Sequence, residues 1–136
     1  MPSIFVIKEK VTSPMEWYSR MMKKTAEWEF DNLLETYHLG RVYIFESSDG
    51  VSFDDMSEDE FFGWEVSSWI ALADGKELIY GYYNDEADNA EFVHIKNGKC
   101  LREYRVYNSE IETDEGDAPE FTCWMDVAEY VDENLL

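Results

Sequence analysis

The sequence predicts an α+β fold in a single domain, residues 1–136, built on an antiparallel sheet of about five strands. Three observations lead to this prediction. An Asn-Gly pair separates two strand-like runs, a long segment near the N-terminus has helical spacing of apolar residues, and a short amphipathic stripe ends the chain. A length of 136 residues suits one hydrophobic core.

Five short runs are rich in β-branched and aromatic residues, the composition that favours strands. These runs are Ser3–Ile7, Arg41–Ser47, Glu77–Asn84, Ala90–Lys96 and Lys99–Tyr107. The last three form the segment around which the rest of the chain is expected to be organised.

Asn97-Gly98 predicts a two-residue hairpin turn, since a type I′ turn needs positive φ at both central residues. The register that follows places Lys96 opposite Lys99 and Glu91 opposite Tyr104. Glu91 and Arg102 then become diagonal neighbours on one face and are expected to pair, as a structural ion pair or as part of a binding site.

Three helices are expected. Ser13 and Glu16 form a capping box with Pro14 at the first helical position, and predict a long helix to about Tyr37 that ends before Gly40. A second capping box at Ser57 and Glu60 predicts a buried helix over about 58–74, with a strand over 64–73 as the alternative.

The third expected helix is amphipathic and covers about 123–134, with Thr122 as its cap. Between the last strand and this helix, residues 108–120 are acidic and contain Gly and Pro. They predict a long, mobile loop.

The charge is large and uneven. The formal net charge is −20, yet residues 1–48 contribute only −1, from seven acids and six bases. Residues 49–136 carry the other twenty-four acids and five bases. This asymmetry indicates a charged face that binds a basic partner, with a merely solubilising surface as the alternative. Direct binding to nucleic-acid phosphate or to an anionic membrane is disfavoured, because both need a basic footprint.

Cys100 and Cys123 form no C-x-x-C pair and no metal spacing, so both are expected to be buried free thiols, with a disulfide as the alternative. The apolar run after Met1 is too short for a signal peptide, and no segment is long enough to span a bilayer. A cytoplasmic location is therefore expected.

No catalytic motif is present, and neither a cofactor nor a metal is predicted. His38 and His94 lie far apart with no ligand pattern around them, which favours structural roles. The loop 84–89 is rich in oxygen ligands but lacks EF-hand spacing and its central Gly. A carboxylate pair of the kind that glycosidases use stays possible, although thirty-one acids make that pattern uninformative.

Several features, taken as a set, resemble small acidic immunity proteins that accompany bacterial polymorphic and contact-dependent toxins. The residues concerned are Trp64, Ser67, Ala71, Gly75-Lys76, Tyr80-Gly81-Tyr82-Tyr83-Asn84-Asp85, Glu91-Phe92, Asn97-Gly98-Lys99, Arg102-Glu103-Tyr104, Trp124 and Asp126-Val127. The resemblance covers about the last two-thirds of the chain and lies in size, acidity and aromatic content, so no functional residue is carried over.

The resemblance implies a non-enzymatic inhibitor that binds a basic toxin domain, with carboxylates standing in for phosphates. Two acidic segments near one end of the predicted hairpins are the expected contacts, namely Asp85, Glu86, Asp88, Glu110, Glu112, Asp114, Glu115 and Asp117. Two alternatives are an acidic adaptor that mimics nucleic acid toward a host protein, and a small hydrolase that uses carboxylates.

Overall fold

The structure is a computed structural model that describes residues 2–136. Its nine strands are β1 (Ser3–Ile7), β2 (Glu29–Asp31), β3 (Thr36–Leu39), β4 (Val42–Glu46), β5 (Val51–Asp55), β6 (Leu78–Asn84), β7 (Asn89–Lys96), β8 (Lys99–Tyr107) and β9 (Glu110–Glu115). Its three helices are α1 (Pro14–Met21), α2 (Val66–Ala73) and α3 (Trp124–Asn134). The fold is α+β, but the expectation of about five strands is wrong.

All nine strands form one antiparallel sheet in the order β2-β3-β4-β5-β1-β6-β7-β8-β9. Strands β2 to β5 follow one another as a meander, and so do β6 to β9. β1 lies between the two meanders and pairs with β5 on one side and with β6 on the other. The N-terminal strand therefore joins the two halves of the sheet.

Hydrophobic cores cover both faces of the sheet. On the first face, α1 and α2 pack through Trp17, Tyr18 and Trp69 onto Phe5 and Tyr80. On the second face, α3 covers the β6–β8 region through Val127, Val131 and Leu135. Side chains of a strand point alternately to the two faces, so β6 and β7 contribute to both cores.

The prediction of a long N-terminal helix to about Tyr37 is wrong. α1 ends at Met21, and Lys23 adopts left-handed backbone with a φ of 55°, which stops the helix. The spacing of apolar residues beyond Met21 imitates a helix, because Phe30 and Tyr37 are seven residues apart, a separation that suits two helical turns. In the structure these two residues are instead partners across the β2–β3 hairpin.

An Asp turn closes that hairpin. Asp31 Oδ1 accepts the backbone N–H groups of Leu33 and Leu34 at 2.8 and 2.9 Å, which is the local bonding that makes Asp favour turns. Gly40, expected as a helix stop, forms the β3–β4 turn with a φ of 59°. His38 lies on β3 and not in a helix; its Nδ1 is 2.8 Å from the Gly40 carbonyl oxygen.

The second helix is shorter than predicted, although the helical interpretation of Trp64–Ala73 is confirmed over Val66–Ala73. The expected capping box does not form, because buried Asp55 accepts the backbone N–H groups of Ser57 and Glu60 at 2.9 and 2.8 Å. Residues 56–65 therefore form turns, and Asp55 ends an additional strand, β5, that the sequence analysis missed.

The Asn97-Gly98 hairpin turn is confirmed, with φ values of 53° and 72°. The register is confirmed only next to the turn, where Ile95 faces Cys100. A bulge at Leu101 then shifts the pairing, so that Glu91 faces Arg105 and not Tyr104. The predicted diagonal pairing of Glu91 with Arg102 is consequently wrong.

The prediction of a mobile loop over 108–120 is also wrong for the first half of that segment. Residues 110–115 form β9, which pairs with β8 and is the last strand of the sheet. The C-terminal amphipathic helix is confirmed as α3, with Cys123 rather than Thr122 at the N-cap position.

Candidate partner-binding surface

Glu91 is the centre of a buried polar cluster. Its carboxylate is fully buried and accepts hydrogen bonds from Arg105 Nη1 at 2.9 Å and from Tyr80 Oη at 2.8 Å. The Tyr107 hydroxyl and the Gly63 backbone N–H also donate to it. Four donors converge on one carboxylate, so its negative charge is well compensated.

Arg105 ties this cluster to the loop before α2. Its Nη2 donates to the Trp64 carbonyl oxygen at 2.6 Å, and its Nε donates to Glu103 Oε2 at 2.7 Å. Burial, followed by the Glu91 carboxylate, raises the pKa values of Tyr80 and Tyr107. Because Glu91 bonds the Gly63 backbone N–H and Arg105 bonds the Trp64 carbonyl oxygen, the cluster anchors the 61–65 loop to the sheet.

The structure brings the two predicted acidic segments together at one end of the sheet. The β8–β9 turn lies beside the β6–β7 loop, where Ser109 donates its backbone N–H to the Asp88 carbonyl oxygen and its hydroxyl to Asp88 Oδ2, both at 3.0 Å. Asp85 and Glu86 are exposed in that loop, and Glu110 follows the turn directly. These four acids therefore lie at the same end.

The other predicted acids extend away from that end along β9. Asp114 pairs with Arg102, whose buried guanidinium donates to Asp114 Oδ1 at 2.7 Å, so this carboxylate is already engaged. Glu112 and Glu115 are exposed on the strand, and Asp117 is exposed beyond it. Three of the eight predicted residues therefore lie in the β6–β7 loop, and the other five lie on or just after the edge strand β9.

Sequence reasoning missed a second group of acids on and before α3. An open groove of about 280 Å³ runs between the 119–121 segment and α3, and its acidic lining residues are Glu120, Asp126, Glu129 and Glu133. Phe121 and Tyr130 form its apolar part.

Asp126 is held in place by the start of the helix. Its Oδ2 accepts the Thr122 backbone N–H at 2.7 Å and the Thr122 hydroxyl at 2.8 Å. These bonds, the backbone one first, lower the pKa of the Asp126 carboxyl below its ordinary value. Asp126 consequently stays charged under mildly acidic conditions.

A sequence signal for this second group existed. Residues 106–136 contain ten Asp and Glu residues and no Lys, Arg or His. β9, the 116–123 segment and α3 are consecutive in the chain, and Phe121 in the middle segment contacts Tyr104 of β8 and Tyr130 of α3. We call the carboxylates of this stretch, apart from the engaged Asp114, the acidic surface; all are exposed except the half-buried Asp126, and they are Glu110, Glu112, Glu115, Asp117, Glu120, Asp126, Glu129, Asp132 and Glu133.

A cavity of about 430 Å³ lies on the opposite half of the molecule, beside α1. Lys24 and Arg41 line it together with Asp59 and Glu60, so its charge is mixed. Among residues 2–136 the buried Tyr18 hydroxyl finds no hydrogen-bond partner. No sequence pattern predicts this cavity.

The thiols and histidines have unremarkable surroundings. Cys100 and Cys123 are free as expected, but Cys100 is exposed and Cys123 is half-buried, so the expected burial is wrong. His94 Nε2 lies 2.6 Å from Glu77 Oε2. Within residues 2–136, no group of three or more His, Cys, Asp or Glu side chains is arranged to hold a metal ion.

No protein-family model, no curated protein and no solved structure matches this chain. The resemblance to immunity proteins therefore stays a prediction. In the part of the chain that the structure describes, no helix has the length and apolar character needed to cross a membrane.

Proposed function

We propose that this chain is a non-enzymatic binding protein of the immunity type, which neutralises a basic toxin domain by covering it with the acidic surface. One observation carries the proposal. The last thirty-one residues hold ten acids and no base, and they fold as one edge strand, one connecting segment and one helix. A single-sign surface of this kind attracts a partner of opposite charge.

Charge alone gives fast and selective association, whereas affinity needs apolar anchors that become buried. The acidic surface contains such anchors. Ile111 is 48% exposed between Glu110 and Glu112 in the chain, and Met125 is 58% exposed next to Asp126. Each supplies exposed apolar area beside a carboxylate.

The two fully buried carboxylates support binding rather than catalysis as the role of this protein. Glu91 and Asp55 are both saturated by hydrogen-bond donors within the fold. A general acid or base needs a group that can reach a substrate. We propose the cytoplasm as the compartment, where free thiols such as Cys100 and Cys123 stay reduced.

The test uses the product of the gene adjacent to the one that encodes this chain. That product is expected to inhibit growth when it is expressed alone, and co-expression of this chain is expected to restore growth. In the surface variant, Glu→Gln is made at six exposed positions: Glu110, Glu112, Glu115, Glu120, Glu129 and Glu133. We expect its affinity for the adjacent product to fall at least tenfold in 50 mM NaCl, measured by isothermal titration calorimetry.

A matched control changes the same number of charges elsewhere. Glu→Gln at six exposed positions of the N-terminal half gives the same change in net charge: Glu9, Glu16, Glu27, Glu29, Glu35 and Glu46. This control variant should bind within about threefold of the native chain. Equal losses in the two variants, or an affinity insensitive to salt, would contradict the proposal, because a local electrostatic contact must weaken with screening.

A further inference from the structure

We propose that β9 is a docking edge that accepts an extended, basic strand of the partner as a tenth strand of the sheet. The inference rests on the proposed function and specifies how one part of the acidic surface would be used. The primary observation is the open edge itself, and the charges around it identify the occupant.

β9 is the outermost strand beside β8 and is six residues long, Glu110–Glu115. Among residues 2–136, no strand or helix pairs with its outer side. A side chain of β8 also bonds its backbone, since Arg102 Nη1 donates to the Glu115 carbonyl oxygen at 2.8 Å. Such an edge presents backbone N–H and C=O groups to which another strand can pair.

A bulge at Glu112 shifts the pairing of β9 with β8, and the faces on which the remaining side chains lie define the partner. Glu110, Thr113 and Glu115 share one face of the sheet, because they lie opposite Tyr107, Arg105 and Glu103 of β8. The exposed Ile111 lies on the other face, opposite Val106. A strand with basic residues at alternate positions and apolar residues between them matches both faces at once.

A second copy of this chain fits the edge poorly. Two β9 strands paired antiparallel about their midpoint would place Glu110 of one copy opposite Glu115 of the other. Like charges directly opposite each other are destabilising. The edge is therefore closed to self-association and open to a strand of opposite charge.

The other edge of the sheet is a weaker candidate. β2 has only three residues, Glu29–Asp31, and offers few backbone groups for pairing. It belongs to the half of the chain in which acids and bases nearly balance. A basic strand therefore has both more hydrogen bonds and more charge complementarity at β9.

Binding of two synthetic peptides to the whole chain tests the inference. The probe is acetyl-KVKVKVK-amide, and the comparison peptide is acetyl-KPKPKPK-amide, which has the same charge but lacks the N–H groups that proline removes. We expect the lysine–valine peptide to bind at least tenfold more tightly in 50 mM NaCl. We also expect it to slow hydrogen exchange of backbone amides within 110–115, measured by NMR.

Two triple variants separate the edge from general attraction. The first is E110Q/E112Q/E115Q on β9, and the second is E120Q/E129Q/E133Q in the α3 groove; all six positions are exposed. The first variant should bind the lysine–valine peptide about tenfold more weakly than the native chain does. The second should bind it less than threefold more weakly.

Three results would overturn the inference. Equal binding of the two peptides, or equal effects of the two triple variants, would show that carboxylates attract lysines without strand pairing; the proposed function would then survive. If the native chain binds neither peptide, the result contradicts both the docking edge and the electrostatic basis of the proposed function.

Discussion

At the scale of single residues, Glu91 bears most on stability. Its carboxylate is buried with the Arg105 guanidinium, so removing its charge leaves a buried cation short of its main partner. We predict that Glu91→Gln lowers the free energy of unfolding by about 3–5 kcal/mol, as measured by urea denaturation.

Glu103→Gln is the matched control for this prediction. Glu103 also pairs with Arg105, at 2.7 Å, but its side chain is partly exposed, so we expect a loss of about 1 kcal/mol or less. Similar losses in the two variants would mean that burial of Glu91 does not set the energy of the cluster.

Tyrosine ionisation gives a pH prediction at the same scale. Burial and the Glu91 carboxylate raise the pKa values of Tyr80 and Tyr107 in the folded protein. The unfolded chain loses these protons near pH 10, whereas the folded protein keeps them. Stability from both groups is therefore complete below pH 10 and declines as the pH rises above it.

We expect the free energy of unfolding to fall by roughly 1.4 kcal/mol per pH unit for each of these two tyrosines above pH 10. Urea denaturation at several pH values from 9 to 12 measures the slope. Tyr107→Phe should make the slope shallower, and an unchanged slope in that variant would exclude Tyr107 as its source.

At the scale of elements, Gly81 sets how closely α3 approaches the sheet. A Cβ atom at this position would lie 2.5 Å from Val131 Cγ2 and 2.8 Å from Leu135 Cδ1. We predict that Gly81→Ala costs about 1–3 kcal/mol of stability by overpacking. Val131→Ala should relieve part of that cost, which a double-mutant cycle in urea would show as favourable coupling.

Gly98→Ala provides the comparison. No atom lies within 4 Å of a Cβ built there, and its φ is 72°, so its cost of roughly 1–2 kcal/mol comes from the backbone alone. Val131→Ala should be additive with Gly98→Ala. Coupling of equal size at both glycines would argue against contact with α3 as the cause.

Element prediction from the sequence succeeded where the local signal was unambiguous. Asn97-Gly98 specified its turn, and the stripe of α3 specified its helix. It failed at β9, because an edge strand with both sides partly solvated needs no alternation of apolar residues. It also failed at Leu101, where a bulge moves Glu91 from Arg102 to Arg105 and leaves no mark in the sequence.

At the scale of the whole molecule, the net charge of −20 opposes compaction. Raising NaCl from 0.01 to 0.1 M shortens the screening length from about 30 to about 10 Å. We predict that the melting temperature rises over this range, because repulsion among the acids decreases. Differential scanning calorimetry at fixed pH measures the change.

The two six-fold Glu→Gln variants show where that repulsion lies. The variant of the acidic surface should be more stable than the native chain at low salt and less sensitive to NaCl. The N-terminal variant should keep most of the native salt dependence, since its half has nearly balanced charges. The same reduction in both variants would mean that the repulsion is spread over the whole molecule.

The candidate site was also only partly readable from the sequence. The uneven charge indicates residues 49–136, and the predicted hairpins place the acids at positions 85–88 and 110–117 near one end. The structure adds Glu120, Glu129 and Glu133 around a groove and engages Asp114 with Arg102. Neither result follows from composition, because both depend on where α3 and the bulged β8 place their side chains.

The central position of β1 has a consequence for synthesis. A chain leaves the ribosome in N- to C-terminal order, so the apolar run Ser3–Ile7 emerges before both of its partners, Val51–Asp55 and Leu78–Tyr82. Until Tyr82 emerges, the most apolar strand of the nascent chain has at least one unpaired side. Short β-prone segments of this kind aggregate when exposed. Translation up to Tyr82 is therefore the period in which this chain most needs a chaperone.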